Sequence, residues 1–482
     1  MANFLLLSSE QQKMQLLLLL YACTMCIIML FANGTGDEGD SVYHFLFAKY
    51  AGQYPAHFFD HWAKPLYVLL AFPFAQIGFI GVKLMNIGWS TLSIWRTYQI
   101  AQHAKISTAW MAPLLLCSMP MFNSLTLSGL TEPMFAAWLS SALYFLLKEK
   151  WKTAILLLSF LPFIRSEGLL VLGWAMLYLL WAKQYRLLPL LLVGHIGYGI
   201  AGSWVHGDVS WVFTKMSYAT WDSAYGKGTW LHFIERLPEI VGSPLAMMFY
   251  CGLLLLVVQV WKLILREHSK HESSFVWLIW GTAFLYFFAH TAFWALGIFN
   301  SFGMLRVMVG IAPLLAVVLL QQMKFLLEWI DQSNIRQWCL YILFAAIVIY
   351  PFTGHTYAYA WKRDFMLRAD QQAQTSIPVW LKKNKPDYTQ RRFYYEASYL
   401  SVLLEHDWWN PNQHRRIRGA FELNEFQKGD ILIWDDWFAV VEGLCEWEPL
   451  EKDKRFQVIY TTSAKDPWNN DRTTKVLEFV GD

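Results

Sequence analysis

Eleven largely apolar stretches, at residues 14–32, 82–100, 107–122, 133–147, 153–164, 168–182, 187–205, 243–263, 276–297, 305–322 and 338–352, dominate the first three quarters of this chain. In lipid, segments of that kind leave the backbone one solution, helices that satisfy their own N–H and C=O groups. Several fall short of the ~20 residues that span a bilayer, so their limits are soft. A further apolar stretch, 65–81, reads as a dipping or surface-lying segment, because another full span would invert the charge pattern of every later loop. The expected architecture is an all-α polytopic membrane domain over residues 1–355.

Composition agrees. Charged residues are 16% of the 482, hydrophobic residues 56%, and mean hydropathy is +0.30; a soluble chain carries about 25% charged residues. The 26 Trp suit membrane interfaces. A net charge of +3 points to no nucleic-acid partner. Five of the six cysteines lie in apolar segments, so no disulfide framework is visible, and the redox-like spacing of Cys23 and Cys26 reads as packing inside a span. The first apolar segment lacks a convincing cleavage site and reads as a retained helix rather than a signal peptide.

Positive charge collects in alternate loops: Arg96 and Lys105; Lys148, Lys150 and Lys152; Lys183 and Arg186; Lys262, Arg266 and Lys270; Lys324 and Arg336. The positive-inside rule makes these loops and the N-terminus cytoplasmic. Eleven spans then put the tail outside. The remaining polar oddities, which were not used to set the orientation, all fall on the outer side. They are Asp37-Glu38, Asp60-His61 with Lys64, Thr131-Glu132-Pro133, Arg165-Ser166-Glu167-Gly168, the loop 206–242, and Arg306. One extracytoplasmic active face is the expectation.

From about residue 356 the composition changes. Charges become frequent, Phe393–Tyr395, Asp430–Trp434 and Phe456–Tyr460 read as strands, and Gln371–Lys383 and Tyr399–Glu405 as helical pieces. Residues 356–482 are expected to form a small α/β extracytoplasmic domain.

Each polar group has a functional and a structural reading. Asp37 and Glu38 stand where a span ends, and a shielded carboxylate can take a proton near neutral pH; an ordinary solvated loop acid is the alternative. Gly34, Gly36 and Gly39 around them permit close backbone approach. Lys64 is a point charge suited to phosphate, or a snorkelling side chain. Asp60, His61, His44 and His57 form no standard ligand spacing, so a divalent metal stays open without being required. Glu132 follows Thr131, which can cap the next helix with Pro133 in its first turn. Arg165 and Glu167 can pair with each other. Arg306 breaks the positive-inside trend and asks for a partner, a phosphate or a structural carboxylate; His290 lies in the preceding span. Aromatic residues of the 206–242 loop, Tyr225 among them, suit sugar rings or the lipid interface. Asn33-Gly34-Thr35 is a glycosylation sequon by pattern, too close to the membrane to be used.

In this order the motifs resemble the GT-C superfamily of membrane glycosyltransferases, which includes protein O-mannosyltransferases, aminoarabinose transferases and lipid-linked mannosyltransferases. The resemblance rests on Gly36-Asp37-Glu38 with Tyr43 after the first span, then Asp60-His61-Trp62-Ala63-Lys64-Pro65-Leu66, Thr131-Glu132-Pro133, Arg165-Ser166-Glu167-Gly168, and His290 with Gly297, Ser301, Gly303 and Arg306. It covers most of residues 10–325. The tail, with Gly429-Asp430-Ile431-Leu432-Ile433-Trp434-Asp435, is similar to the small periplasmic domain of some bacterial members. A His-Glu-x-Pro motif of some mannosyltransferase branches is absent, so the sugar stays open, mannose among the candidates.

The resemblance implies inverting transfer of a sugar from a polyprenyl-phosphate donor to an acceptor hydroxyl of a glycan, lipid or protein. It implies Asp37, or failing that Glu38, as base. Lys64, Arg306 and His290 would hold the donor phosphate, while Asp60, His61, Glu132, Arg165, Glu167 and Tyr225 would bind acceptor or sugar. A bacterial inner membrane with a periplasmic active face is the expectation; an endoplasmic-reticulum membrane with a lumenal face would have equivalent topology. Two other classes compete. A transporter or lipid flippase holds its charges near the midplane, often with repeat symmetry, and neither is seen here. A non-catalytic assembly protein leaves the one-sided acids and bases unexplained.

Overall fold

The computed structural model describes residues 10–106, 108–217, 219–223, 225–252, 270–327, 330, 332–466 and 469–481. The chain divides into two compact units, one of residues 1–31 and 51–360, the other of 32–50 and 361–482. A single boundary at 355/356 does not anticipate that residues 32–50 pack with the C-terminal segment.

The first unit is helical. Among the described residues five helices are long and apolar enough to cross a membrane: Glu10–Phe31, Tyr185–His206, Glu272–Leu296, Leu305–Leu327 and Ser333–Phe352. Shorter apolar helices are Pro65–Ala75, Glu132–Leu147, Trp151–Phe163 and Gly168–Trp181. Phe79–His103 adds a 25-residue helix. This is an integral membrane protein, and the expected spans fall on these helices with two departures. The span expected at 107–122 is broken into Met111–Cys117 and Pro120–Thr126. Pro120 is the cause: it cannot continue the ladder and pushes Met119 into an extended conformation. Of the span expected at 243–263, residues 243–252 are helical and the rest lies outside the described residues. The 65–81 stretch forms an 11-residue helix with a turn after it.

Helix Glu132–Leu147 is the centre of this unit. Thirteen of its sixteen residues are buried, and it packs against Phe79–His103, Trp151–Phe160 and the turn Leu305–Ile311. An apolar helix buried on nearly every side belongs in the middle of a bundle. Its first residue is therefore a carboxylate carried into the interior.

The second unit is a five-stranded sheet with short helices. The strands are β1 Phe393–Tyr394, β2 His414–Arg415, β3 Ile431–Asp435, β4 Phe456–Lys465 and β5 Asp471–Phe479, in the order β2-β1-β3-β5-β4. β1 lies parallel to β2 and β3, whereas β5 is antiparallel to β3 and β4. All five residues of β3 are buried, as befits a central strand. The helix expected at 371–383 is two, Ala369–Gln374 and Ile377–Asn384, separated before Pro378.

The Asp37-Glu38 loop belongs to this unit and is strapped from far along the chain. The fully buried Gln371 donates through Nε2 to Asp37 O at 3.1 Å, Glu38 O at 3.0 Å and Thr35 Oγ1 at 2.9 Å. Gly34 lets the backbone pass: a Cβ there would stand 2.7 Å from Met366 O. Asp37 is buried and accepts the Ser41 N–H at 3.0 Å, ordering the first turn of Asp40–Tyr50. Glu38 is half-exposed, 3.7 Å from Arg368. Nearby acids share the strain of burial. Burial and the charges of Glu38 and Asp435 push Asp370 up to about 7. Burial likewise pushes Asp435 up to about 7, against the pull of the Phe438 and Trp437 N–H groups.

A buried acid whose folded pKa is raised favours the folded state while it keeps its proton, so stability is lost as pH rises from about 4 to about 7. The shift corresponds to at most roughly 4 kcal/mol for Asp435. Asp435 accepts the Trp437 and Phe438 N–H groups through Oδ1 alone, at 3.1 and 2.5 Å. Asp435→Asn should therefore keep the turn, raise thermal stability at pH 7 and change little near pH 4. Melts followed by tryptophan fluorescence from pH 4 to 8 check this, and parallel wild-type and variant profiles would refute it.

Candidate active site

In the first unit, five charged side chains and one histidine from distant segments converge. Glu132 Oε1 lies 2.7 Å from Arg165 Nη1 and 3.4 Å from Arg306 Nε. Arg165 Nη2 lies 2.7 Å from Glu167 Oε1, and His290 Nε2 approaches the same oxygen at 3.9 Å. Lys64 Nζ donates to Ser166 Oγ at 3.2 Å and His61 O at 3.3 Å. Glu132 is fully buried, while Arg165, Glu167 and Arg306 keep 13, 16 and 17% of their side-chain surface. The cluster is thus closed beneath Glu132 and open on its other side.

Local sequence explains how each group gets there. Lys64 holds φ +69° immediately before Pro65, a left-handed conformation that a residue with a Cβ adopts at a cost. Asp60 Oδ1 accepts the Ala63 N–H at 2.8 Å and sets the turn that leads into it. Gly168 permits the Arg165–Glu167 turn to fold back, since a Cβ there would stand 2.5 Å from Leu161 C and Pro162 N. The loop before Glu132 is held by Asn86 Nδ2, which donates to Ser128 O and Leu130 O at 2.8 and 3.0 Å, and by Tyr67, whose hydroxyl donates to Gly129 O at 2.5 Å.

Thr131 does not cap the helix it precedes. Its side chain makes no cap bond, and its Oγ1 accepts from Arg165 Nη1 at 3.0 Å. The structural alternatives weighed for Arg165 and Arg306 are both realised: Arg165 pairs with Glu167, and Arg306 has a carboxylate partner in Glu132. The two readings are compatible, because Arg165 and Arg306 keep part of their side-chain surface exposed while pairing with these carboxylates. Burial pushes Glu167 up, but Arg165, His290 and Lys64 outweigh it and hold it at about 2, so it stays ionised.

The other residues from the sequence reading have local partners of their own. Asp60 works through its own turn. His61 Nε2 contacts Val212 O at 2.9 Å, and its ring lies 5.0 Å from Trp211; burial and the Lys64 charge lower it to about 4. Tyr225 packs on Phe302 at 4.5 Å, in the loop that leads into Arg306. Trp211 is fully buried with its N–H on Tyr198 O, a packing residue. Asp37 and Glu38 lie in the other unit. Asn33 of the sequon accepts the Leu367 N–H at 3.1 Å. No three His, Cys, Asp or Glu among the described residues are grouped to hold a metal ion.

Sequence reasoning missed Tyr286. It is fully buried, its ring lies 4.6 Å from His290, and its hydroxyl stands beside the Arg165 guanidinium without an aligned hydrogen bond among the described residues. Neither Glu132 oxygen nor His290 Nε2 has an aligned hydrogen bond either. The ion pairs are close, yet the hydrogen-bonding capacity is incompletely used, as in a site built for a polar ligand.

No family model matches the sequence, and no curated protein matches it. Solved structures do. ArnT from Cupriavidus metallidurans, crystallised with undecaprenyl phosphate, superposes with a TM-score of 0.59 over 95% of this chain and 97% of that one, at 12% identity. The fold is GT-C-like. At that identity the likeness carries the architecture, including the small C-terminal domain after the helices, and nothing finer.

Removing Glu132 would take a shared carboxylate from two partly buried guanidinium groups. Glu132→Ala should cost about 3–5 kcal/mol, read as a large drop in melting temperature in detergent micelles. Asp60→Ala, which removes only a turn acceptor, should cost about 1 kcal/mol.

Proposed function

We propose that this chain is an inverting glycosyltransferase that moves a sugar from a polyprenyl-phosphate donor to an acceptor hydroxyl. The observation that carries the reading is the partly open cluster of Lys64, Arg165 and Arg306 around Glu132 and Glu167. Its arginines stay partly exposed in apolar surroundings, on a fold shared with a protein crystallised with a polyprenyl phosphate. An anion is the ligand that such a cluster accepts, and a phosphate on a lipid reaches it from the bilayer.

The donor phosphate is placed on Lys64 and Arg306, with His290 beside it. Arg165 is braced by Glu132, Thr131 and Glu167 and fixes the geometry of the cluster. The acceptor oxygen attacks the anomeric carbon, the bond from that carbon to the phosphate oxygen breaks, and the phosphate leaves with the electron pair. Lys64 and Arg306 stabilise the charge that builds on the leaving oxygen, and fixed charges aimed at such an oxygen are usually the main source of rate acceleration. Asp37 is the proposed base that takes the acceptor proton, and Glu38 the second choice. Tyr225, Asp60 and His61 are proposed to act on the acceptor or sugar. Mannose is one candidate sugar. The face is proposed to be extracytoplasmic, periplasmic in a bacterial inner membrane, from the distribution of Lys and Arg over the loops.

Membranes expressing wild type or variants should be given a panel of radiolabelled polyprenyl-phosphate sugars. Transfer is expected for wild type, with Asp37→Asn slower by about 10²–10⁴-fold at equal expression. Lys64→Gln should be slower by about 10²-fold or more. Equal transfer by Asp37→Asn would remove Asp37 as base and turn attention to Glu38. Movement of lipid or solute without a new glycosidic bond would replace the reading with a transporter.

A further inference from the structure

The helices that carry the ion-pair cluster at one end carry a different charge group at the other. Asn86, near the start of Phe79–His103, holds the loop beside Glu132; Arg96 lies ten residues further on, about 15 Å along the axis. Lys148 follows the last residue of Glu132–Leu147, about 24 Å from Glu132. Arg96 is half-buried between these two helices. Its Nε donates to Ser141 Oγ at 3.0 Å and its Nη1 to Gln99 Oε1 at 2.6 Å. Its guanidinium carbon lies over the rings of Tyr144 and Phe145, at 5.0 and 4.9 Å. Lys148 stands 6.0 Å from the Tyr144 ring, and Lys150 5.9 Å from the Phe145 ring. Three cations therefore share two aromatic rings. Among the described residues no carboxylate pairs with Arg96, Lys148 or Lys150, in contrast to Arg165 and Arg306.

A cavity of about 410 Å³ adjoins them, lined by Lys148, His103, Glu149, Tyr178 and Ser274 with Leu146 and Leu147. Among the described residues Glu149 is the one acid of this wall, against the three cations Arg96, Lys148 and Lys150. A snorkelling arginine would extend to water. Arg96 is instead oriented by Ser141 and Gln99, which accept from its Nε and Nη1, with Nη2 as its donor toward an anion.

We propose that Arg96, Lys148 and Lys150 form a binding site for the phosphate headgroup of an anionic phospholipid, with the glycerol end entering the adjoining cavity. Basic pockets between transmembrane helices at the positively charged face bind such headgroups. The site stands at the opposite end of the helices from the cluster proposed to hold the donor, and it does not depend on that proposal.

The test uses the full chain, purified in detergent and stripped of lipid. Binding of dioleoylphosphatidylglycerol, dioleoylphosphatidylcholine and inorganic phosphate is compared by native mass spectrometry. One phosphatidylglycerol per chain is expected, at least ten-fold tighter than phosphatidylcholine. Arg96→Gln, and Lys148→Gln with Lys150→Gln, should weaken it by about five-fold for each charge removed. Lys183→Gln with Arg186→Gln, in another positive loop, should change it less than two-fold. Lys148 and Lys150 are both exposed, so the double variant decides alone if Arg96→Gln fails to fold. Equal binding of the two lipids, or an equal effect of the Lys183 and Arg186 variant, would overturn the site in favour of diffuse attraction. Competition by inorganic phosphate at equal concentration would overturn the lipid as its ligand.

Discussion

The first unit is organised around one fully buried carboxylate. Glu132 starts a helix that the rest of the bundle covers, and no water reaches it. Its charge is favoured by the helix N-terminus, but that alone is far too little to offset desolvation. Arg165 and Arg306 supply the rest, and their placement dictates the neighbourhood. Thr131 gives up capping to hold Arg165, Gly168 lets the Arg165 turn approach the preceding helix, and Asn86 and Tyr67 fix the loop that delivers Glu132. An apolar replacement of such a network is often as stable or more so. Stability by itself gives little reason to keep these charges, and a ligand that needs a fixed pair of guanidinium groups gives a good one.

Much of this was legible in the sequence. Long apolar runs can only be helices in lipid, so the spans followed from hydropathy, and the polar residues stood out as rare exceptions. Glu132, Arg165, Glu167, His290, Lys64 and Arg306 were found as charges out of place, and the structure draws all six together. Their pairing was less legible, because Arg306 meets Glu132 from far along the chain and nothing periodic links them. The broken span at Ser118–Met119 was signalled by Pro120, whose effect a count of apolar residues ignores.

What stayed hidden depends on neutral groups. Tyr286 carries no charge, and hydroxyls on apolar helices are common enough to attract no notice, while Thr131 reads as a cap and not as the acceptor of Arg165. Gln371 is the clearest case. It lies in a segment that reads as an ordinary polar helix, yet its amide closes the loop around Asp37 and Glu38 from the far end of the chain. Likewise β5 alternates too weakly in sequence to announce itself, and its place between β3 and β4 comes from pairing alone.

The two ends of the bundle follow different electrostatic rules. At one end every arginine drawn inward meets a carboxylate, because Glu132 is beyond the reach of water and must be neutralised. At the other, Arg96, Lys148 and Lys150 lean on aromatic faces and neutral acceptors. A ring quadrupole contributes only about 0.5–2 kcal/mol per cation, enough to orient a charge that still has access to a polar phase but too little to bury one outright. Arg96 therefore has to lie within reach of water or of an anion. The spacing that puts Glu132 and Lys148 at opposite ends of one apolar helix is thus enough to give the unit an ion-paired end and a cationic end.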